Sequence, residues 1–193
     1  MDAGATIYVR NLPHWRQPGA TYFVTFRTWD SIPEATWELM NKEAIDWERR
    51  LAKRQNDESL LKEYRIFRRR FQTRIEAILG KCHGACLLRD PDYRMEVTKA
   101  LEFYVTRASR SAQCVGTAAR TGRPELPRSK VPQYDLDAFV VMPNHVHLAI
   151  RPLPGFELED ILGRIKSYSA RQIHEKLGAT GRFWMEESFD HII

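Results

Sequence analysis

Strands are indicated by apolar side chains at every second position. The stretch 21–27 shows this alternation through three large apolar residues, Tyr22, Val24 and Phe26. Two later stretches, 134–141 and 145–151, also have the composition of strands, and Met142-Pro143-Asn144 between them favours a turn. We therefore expect a strand near the start of the chain and an antiparallel hairpin in its second half.

Apolar residues spaced three and four apart predict three helical regions. The longest is highly charged and runs from about 34 to 79, with a break expected near Asn56-Asp57. Its apolar stripe leaves most of its arginines facing solvent. A second helix begins at Asp90-Pro91 and continues to about 105. A third spans 158–177, and Gly178 is expected to end it.

The segment 106–132 has no apolar periodicity and is rich in Ser, Thr, Gly, Ala and Pro. It contains six arginines and lysines and one acidic residue, Glu125. We expect a flexible basic insertion at the surface. Two interpretations stay open: a solvated linker, or an arm that contacts nucleic acid.

The overall charge is modest but locally concentrated. The 193 residues carry 30 Lys and Arg against 25 Asp and Glu, a net charge of +5, and 43% of them are hydrophobic. This composition supports one ordered domain and excludes general disorder, and no apolar run is long enough to cross a membrane. The basic excess is concentrated between Trp47 and Arg74 and is compatible with a polyanionic partner.

Cysteine usage points to a reducing compartment. Cys82, Cys86 and Cys114 are an odd number in a chain whose N-terminus does not resemble a secretory signal. We expect reduced thiols and a cytoplasmic protein. A structural zinc at Cys82, His83 and Cys86 is a weaker alternative, because no second pair of ligands accompanies them.

His145 and His147 are the first candidates for chemistry. On a strand, Val146, Leu148 and Ile150 point to one face, and the two histidines point to the other. Their Cα atoms are then about 7 Å apart, so that both imidazoles can reach one ion and leave coordination positions open. Structural histidines with ordinary hydrogen bonds are the alternative.

Tyr168 and Gln172 are four residues apart on the last predicted helix and therefore share one of its faces. A phenol near a divalent cation can act as a nucleophile, because the cation favours the phenolate and withdraws charge from a phosphate. The ordinary alternatives are a core tyrosine and a surface glutamine.

The segment Met142-Pro143-Asn144-His145-Val146-His147-Leu148 resembles the His-hydrophobic-His signature of single-tyrosine transposases, and specifically of the REP-associated tyrosine transposases. Further stretches are similar to blocks of that family in the same order: Leu12–Trp15, Tyr22–Arg27, Leu87–Pro91, Ile165–Tyr168, Gly181–Trp184 and Phe189–Ile193. The resemblance implies an α+β, ferredoxin-like domain over residues 1–193, with basic insertions at about 34–79 and 106–132. The implied partners are single-stranded DNA hairpins, which such a domain cuts and rejoins without ATP.

The resemblance also implies a role for each candidate residue. His145, His147 and Gln172 would bind Mg²⁺ or Mn²⁺, and Tyr168 would attack the phosphate to give a 5′-phosphotyrosine and a free 3′-hydroxyl. His174 competes with Gln172 as third ligand, although it lies on another side of the helix. The candidate DNA-binding residues are basic and lie in the two insertions: Arg65, Arg68, Arg70 and Arg123.

Two other functions stay open. The family usually continues beyond the last block, so a truncated or domesticated protein that binds DNA hairpins without cutting them is one alternative. A hydrolytic nuclease that uses Asp135 or Asp137 is the other, although the two-metal carboxylate cluster typical of such enzymes is missing from the sequence. Whether the protein is a monomer or a homodimer is left undetermined.

Overall fold

A computed structural model describes residues 6–9, 13–54, 57–108 and 131–193. In chain order its elements are β1 Thr6–Val9, β2 Pro13–Arg16, β3 Tyr22–Thr28, α1 Glu34–Lys53, α2 Glu58–Leu79, a 3₁₀ turn Leu87–Arg89, α3 Pro91–Glu102, β4 Val105–Ala108, β5 Tyr134–Val141, β6 His145–Pro152, α4 Leu158–Leu177 and β7 Trp184–Ile192. Most of the expected 106–132 insertion, including Arg123, lies outside the described residues.

The main sheet has the strand order β4-β5-β6-β3-β7. Strands β5, β6, β3 and β7 pair antiparallel with one another in this order. Strand β4, at one edge of the sheet, runs parallel to β5. The succession β3, α3, β5, β6, α4, β7 therefore gives a ferredoxin-like arrangement, and the predicted α+β class is confirmed. β1 and β2 form a separate two-stranded sheet.

The larger hydrophobic core lies between one face of the main sheet and helices α3 and α4. The alternate residues of β3 and β6 that face it are no more than 3% exposed: Tyr22, Val24, Phe26, Val146, Leu148 and Ile150. They pack with the buried stripe of α4, which begins with Leu158 and Ile161. The alternation predicted from the sequence is confirmed, because these residues all point away from the face that carries the histidines.

Helices α1 and α2 pack over the opposite face of the sheet. The side chain of Asp57 accepts a hydrogen bond from the backbone N–H of Leu60 at 3.1 Å, which caps α2 at the break predicted from the sequence. Phe71 of α2 lies 6.1 Å from the ring of Phe189 in β7. The aromatic residues of α1 and α2 thus form a second core against the sheet.

One local prediction, about the cysteines, is wrong. The 3₁₀ turn Leu87–Arg89 follows Cys86, whose left-handed backbone directs the chain into a turn. Cys82 and Cys86 are joined by a disulfide, contrary to the expectation of reduced thiols. Both residues have positive φ, and this turn brings their Cα atoms to 6.3 Å, within the range a disulfide spans.

Within the described ranges, every helix is too short or too polar to cross a membrane. Strand β7, which sequence periodicity did not predict, completes the sheet beside β3. Gly178 ends α4 with a left-handed backbone, as expected.

Candidate metal centre

The two histidines of β6 meet at their Nε2 atoms. His145 Nε2 and His147 Nε2 are 3.0 Å apart, and the rings are nearly perpendicular. His145 is 4% exposed, whereas the side chain of His147 is 18% exposed. The strand period therefore brings the imidazoles together as predicted, with one of them open to solvent.

The Nδ1 atom of His145 is held by Asn144. The Asn144 amide nitrogen donates to the carbonyl oxygens of Leu79 at 3.3 Å and His83 at 3.4 Å, which fixes the orientation of the amide. Its oxygen Oδ1 lies 2.7 Å from His145 Nδ1 and can only accept. His145 therefore carries its proton on Nδ1, and its Nε2 lone pair points at His147.

Thr25 of β3 holds the Nδ1 atom of His147 in the same manner. Thr25 Oγ1 is 2.8 Å from His147 Nδ1 and donates to Glu76 Oε1 at 3.4 Å. Because an ionised carboxylate only accepts, the hydroxyl proton goes to Glu76 and Thr25 accepts from His147. Both Nε2 lone pairs are then directed into the same space, an arrangement that a cation stabilises.

Glu76 of α2 completes the cluster. Its Oε2 lies 3.4 Å from His147 Nε2, and ligand atoms of Glu76, His145 and His147 all fall within 4.8 Å of one another. An ion about 2.1 Å from two nitrogens at a right angle separates them by about 3.0 Å, which is the spacing of the two Nε2 atoms. The donor set therefore fits a divalent cation.

Burial keeps the imidazoles neutral. Burial, together with a smaller contribution from the neighbouring His147, lowers the pKa of His145 to about 4. Burial also lowers the pKa of His147, although Glu76 opposes this effect. At neutral pH both rings are therefore uncharged, as metal binding requires.

Tyr168 and Gln172 do not lie with the histidines. α4 packs its apolar stripe against the core face of the sheet, and Tyr168 lies beside that core, with its ring stacked 6.0 Å from Phe103. The histidines point to the opposite face. The sheet therefore separates the predicted nucleophile and the predicted third ligand from the imidazoles of the same chain.

His174, the competing third ligand, is also on α4, and its ring contacts Phe183 at 5.8 Å. Both third-ligand candidates thus belong to the helix that covers the other face of the sheet. Glu76 of α2 takes the place next to the imidazoles. The alternation of β6 contained the signal for this outcome, because a helix that buries apolar residues packs on the face of Val146, Leu148 and Ile150.

A comparison with protein-family models matches the part of the chain that contains His145, His147 and α4. Residues 128–191 match the family model described as "Transposase IS200 like". Residues 128–191, about a third of the chain, are therefore similar to IS200-like transposases. The matched segment includes the hairpin β5–β6, helix α4 and nearly all of β7. The resemblance predicted from the sequence is confirmed over this IS200-like segment.

Among solved structures, a REP-associated tyrosine transposase bound to a REP hairpin matches with 13% sequence identity and a TM-score of 0.36. The match covers 93% of this chain and 59% of that chain. The present chain thus spans less than two thirds of that transposase. A comparison of this chain with curated proteins found no match.

Sequence reasoning missed Glu76 as a partner of the IS200-like histidines. It lies 69 residues before His145, in a helix outside the matched segment. The sequence contained only a weak signal for Glu76. It follows the buried Ile75 and precedes the buried Leu79 by about one turn, so helical spacing places it beside the inward face of α2.

Three of the four candidate DNA-binding arginines lie on α2. Arg65 and Arg70 are exposed, and Arg68 donates a hydrogen bond to the carbonyl oxygen of Asp190 at 2.7 Å. Arg65 and Arg68 line one groove together with Arg69, whereas Arg70 does not line it. The basic insertion therefore contributes to a defined surface.

The acids of β5 lie away from the cluster. Asp135 is paired with Arg151, its partner in the β5–β6 ladder, and His147 is opposite Val140. Neither Asp135 nor Asp137 belongs to the His-His-Glu group found among the described residues. The expectation that one of them lies near the metal is wrong, because the strand register carries both toward the far end of β6.

Proposed function

We propose that this chain is a metal-dependent DNA-processing enzyme that cuts and rejoins single-stranded DNA at hairpins. The observation that carries the proposal is the convergence of His145, His147 and Glu76, with both imidazole protons directed away from the centre. The similarity of residues 128–191 to a transposase family model supports DNA as the substrate.

The chain's own residues have distinct parts in this chemistry. A bound Mg²⁺ or Mn²⁺ polarises a phosphodiester and orients it. His145 and His147 would hold the ion as neutral ligands, and Glu76 would supply the one negative charge of the donor set. A site with this donor set and a divalent cation would be net positive toward a phosphate. Asn144 and Thr25 keep the ring nitrogens in the binding tautomer.

Tyr168 remains the proposed nucleophile. Its phenol loses a proton and its oxygen forms a bond to phosphorus, the bond from phosphorus to the 3′-oxygen breaks, and the leaving 3′-oxygen takes up one proton, so that the step balances. The product is a 5′-phosphotyrosine with a free 3′-hydroxyl. Since the sheet lies between Tyr168 and the histidines of one chain, we propose that Tyr168 serves the cluster of a second copy.

The test uses a labelled single-stranded hairpin, Mn²⁺ and separation of protein–DNA adducts under denaturing conditions. We expect wild type to form an adduct that chelator abolishes. Glu76→Gln should lose at least about tenfold in Mn²⁺ affinity, and adduct formation should fall with it. Glu63→Gln, an exposed change on the same helix, should behave as wild type. Mn²⁺ binding that is unaffected by Glu76→Gln contradicts the proposed centre.

A second candidate function is hairpin binding without cleavage. The position of Tyr168 on the far side of the sheet favours it, because a single chain then lacks a tyrosine at its metal centre. This function predicts DNA binding that weakens steeply with salt and no adduct with or without metal. Adduct formation by wild type excludes it.

A further inference from the structure

A basic groove runs between α2 and the end of β7, next to the metal centre. It has a volume of about 540 Å³. Its α2 side carries Leu61, Tyr64, Arg65, Arg68, Arg69 and Gln72, and its β7 side carries Asp190, His191 and Ile192.

One arginine of the groove joins α2 to β7, and two others are exposed to solvent. Arg68 donates to the carbonyl oxygen of Asp190 and so ties α2 to β7. Arg65 and Arg69 are exposed, and no carboxylate pairs with either in the part of the chain that the structure describes. Their guanidinium groups are therefore available to an anion, and guanidinium forks match phosphate oxygens well.

A row of rings connects the groove to the metal centre. Phe23 of β3 lies between two imidazoles, with its ring centre 5.4 Å from that of His147 and 5.3 Å from that of His191. His147 belongs to the metal centre, and His191 lines the groove. The two imidazoles are thus at most about 11 Å apart, on the same face of the sheet.

We propose that this groove binds the single-stranded DNA that leads to the metal centre, with Arg65 and Arg69 on its phosphates. The proposal rests on the proposed function and adds the path of the substrate. A groove of this volume is the size of a small-ligand cleft and is large enough for a short stretch of single strand. Leu61 and Tyr64 give it an apolar wall for the bases.

The first experiment measures binding of a fluorescent single strand by anisotropy in chelator, so that neither metal nor cleavage enters. The double variant Arg65→Ala/Arg69→Ala should bind about tenfold more weakly than wild type. The slope of log affinity against log salt should decrease by about 1.4, since each lost phosphate contact on a single strand contributes about 0.7. Lys62→Ala is the control, because Lys62 is a basic residue that is exposed on the same helix but lies outside the groove.

The second experiment places a photoreactive side chain at Gln72 or at Thr73. Gln72 lines the groove, whereas Thr73 is exposed and its hydroxyl bonds the carbonyl oxygen of Arg69 within α2. Crosslinks to the single strand should form from position 72 and be weak from position 73.

Equal affinity and salt slope in wild type and the double variant overturn the groove, and so does equal crosslinking at the two positions. These results are separate from the Mn²⁺ affinity of Glu76→Gln, which tests the metal centre alone. If Glu76→Gln weakens Mn²⁺ binding but the double variant binds single-stranded DNA like wild type, the proposed function stands and the groove is not the substrate path. If the double variant weakens DNA binding but Glu76→Gln leaves Mn²⁺ affinity unchanged, the groove binds DNA and the proposed metal centre is wrong.

Discussion

Thr25 links a histidine and a carboxylate through one hydroxyl. It accepts from His147 Nδ1 and donates to Glu76 Oε1, and its own side chain is completely buried. Such outer partners fix the tautomer and orientation of metal ligands, although they do not contact the metal. We therefore expect the hydroxyl of Thr25 to act as a positioning group for the proposed metal centre, so that its loss changes affinity for metal more than stability.

We predict that Thr25→Val lowers Mn²⁺ affinity by about 10- to 100-fold, as expected when an outer partner of a ligating histidine is removed. Titration calorimetry or Mn²⁺ electron paramagnetic resonance measures it. Thr73→Val is the control, because it makes the same isosteric change at an exposed site of α2. Equal affinities in the two variants contradict the positioning role.

At the scale of elements, α2 decides the composition of the metal centre. It is inserted between β3 and α3, and its buried side carries the second core. Ile75, the residue before Glu76, is 0% exposed, and Phe71 is 4% exposed. Packing of these apolar residues against the sheet therefore sets the distance between Glu76 and the histidines.

We predict that Phe71→Ala lowers the free energy of unfolding by about 3 kcal/mol, because it leaves a cavity in the second core. It should also weaken Mn²⁺ binding, since α2 then holds Glu76 less firmly. Thermal and denaturant unfolding measure the first effect, and metal titration of the folded variant measures the second. Ile66→Ala, on the same helix at a site that is 53% exposed, should change neither appreciably. Weakened metal binding in Ile66→Ala would contradict the link to packing.

A second link joins α3 to α4. The side chain of Glu96 on α3 is 4% exposed and accepts from Lys176 of α4 at 2.8 Å and from Lys99 at 2.9 Å. Burial alone raises the pKa of the Glu96 carboxyl, but the hydrogen bonds from Lys176 and Lys99 outweigh burial and lower it. The ionised carboxylate therefore stabilises the folded state.

We predict that Glu96→Gln costs about 1 kcal/mol at pH 7, because both lysines are partly exposed and their attraction is screened. The stabilisation is complete above the unfolded pKa of about 4.3 and is lost as the pH falls through the lower folded pKa. Unfolding curves of the two proteins should therefore converge in acid. Glu175→Gln, an exposed change on α4, is the control, and a gap that widens in acid contradicts the assignment.

At the scale of the whole molecule, the sheet divides two sets of candidate groups. The metal centre and the basic groove lie on the face covered by α1 and α2, and Tyr168 lies with α4 on the other side. The proposed attack by Tyr168 at the proposed metal centre would therefore need a second copy of the chain. A mixing experiment tests this requirement directly.

We predict that His147→Ala and Tyr168→Phe each fail to form the covalent adduct and that an equimolar mixture of the two regains it. One variant then supplies the tyrosine and the other the metal centre. Denaturing gels with DNA labelled on the 5′-phosphate side of the cut measure the adduct. Full activity of Tyr168→Phe alone would show that Tyr168 is not the nucleophile, and it would leave the Mn²⁺ test of Glu76 unchanged.

Local patterns in the sequence determined most of the helices and strands and two of the three residues of the candidate metal centre, His145 and His147. The hairpin at β5 and β6, the break before α2 and the bounds of α4 follow from periodicity and capping residues, which depend on near neighbours in the chain. The shared face of His145 and His147 follows from strand alternation in the same way. β7 was not predicted from its pattern, because Glu186, Ser188 and Asp190 interrupt its apolar residues.

Only the tertiary structure decided which distant groups join the histidines. α4 packs on the apolar side of β6 because both bury hydrophobic surface there, and this carries Tyr168 and Gln172 away from the imidazoles. α2 packs on the other side through Phe71 and Ile75, and this brings Glu76 and the arginines beside them. Residue spacing defines the face on which a side chain lies, whereas the burial of apolar surface between distant segments decides what that face meets.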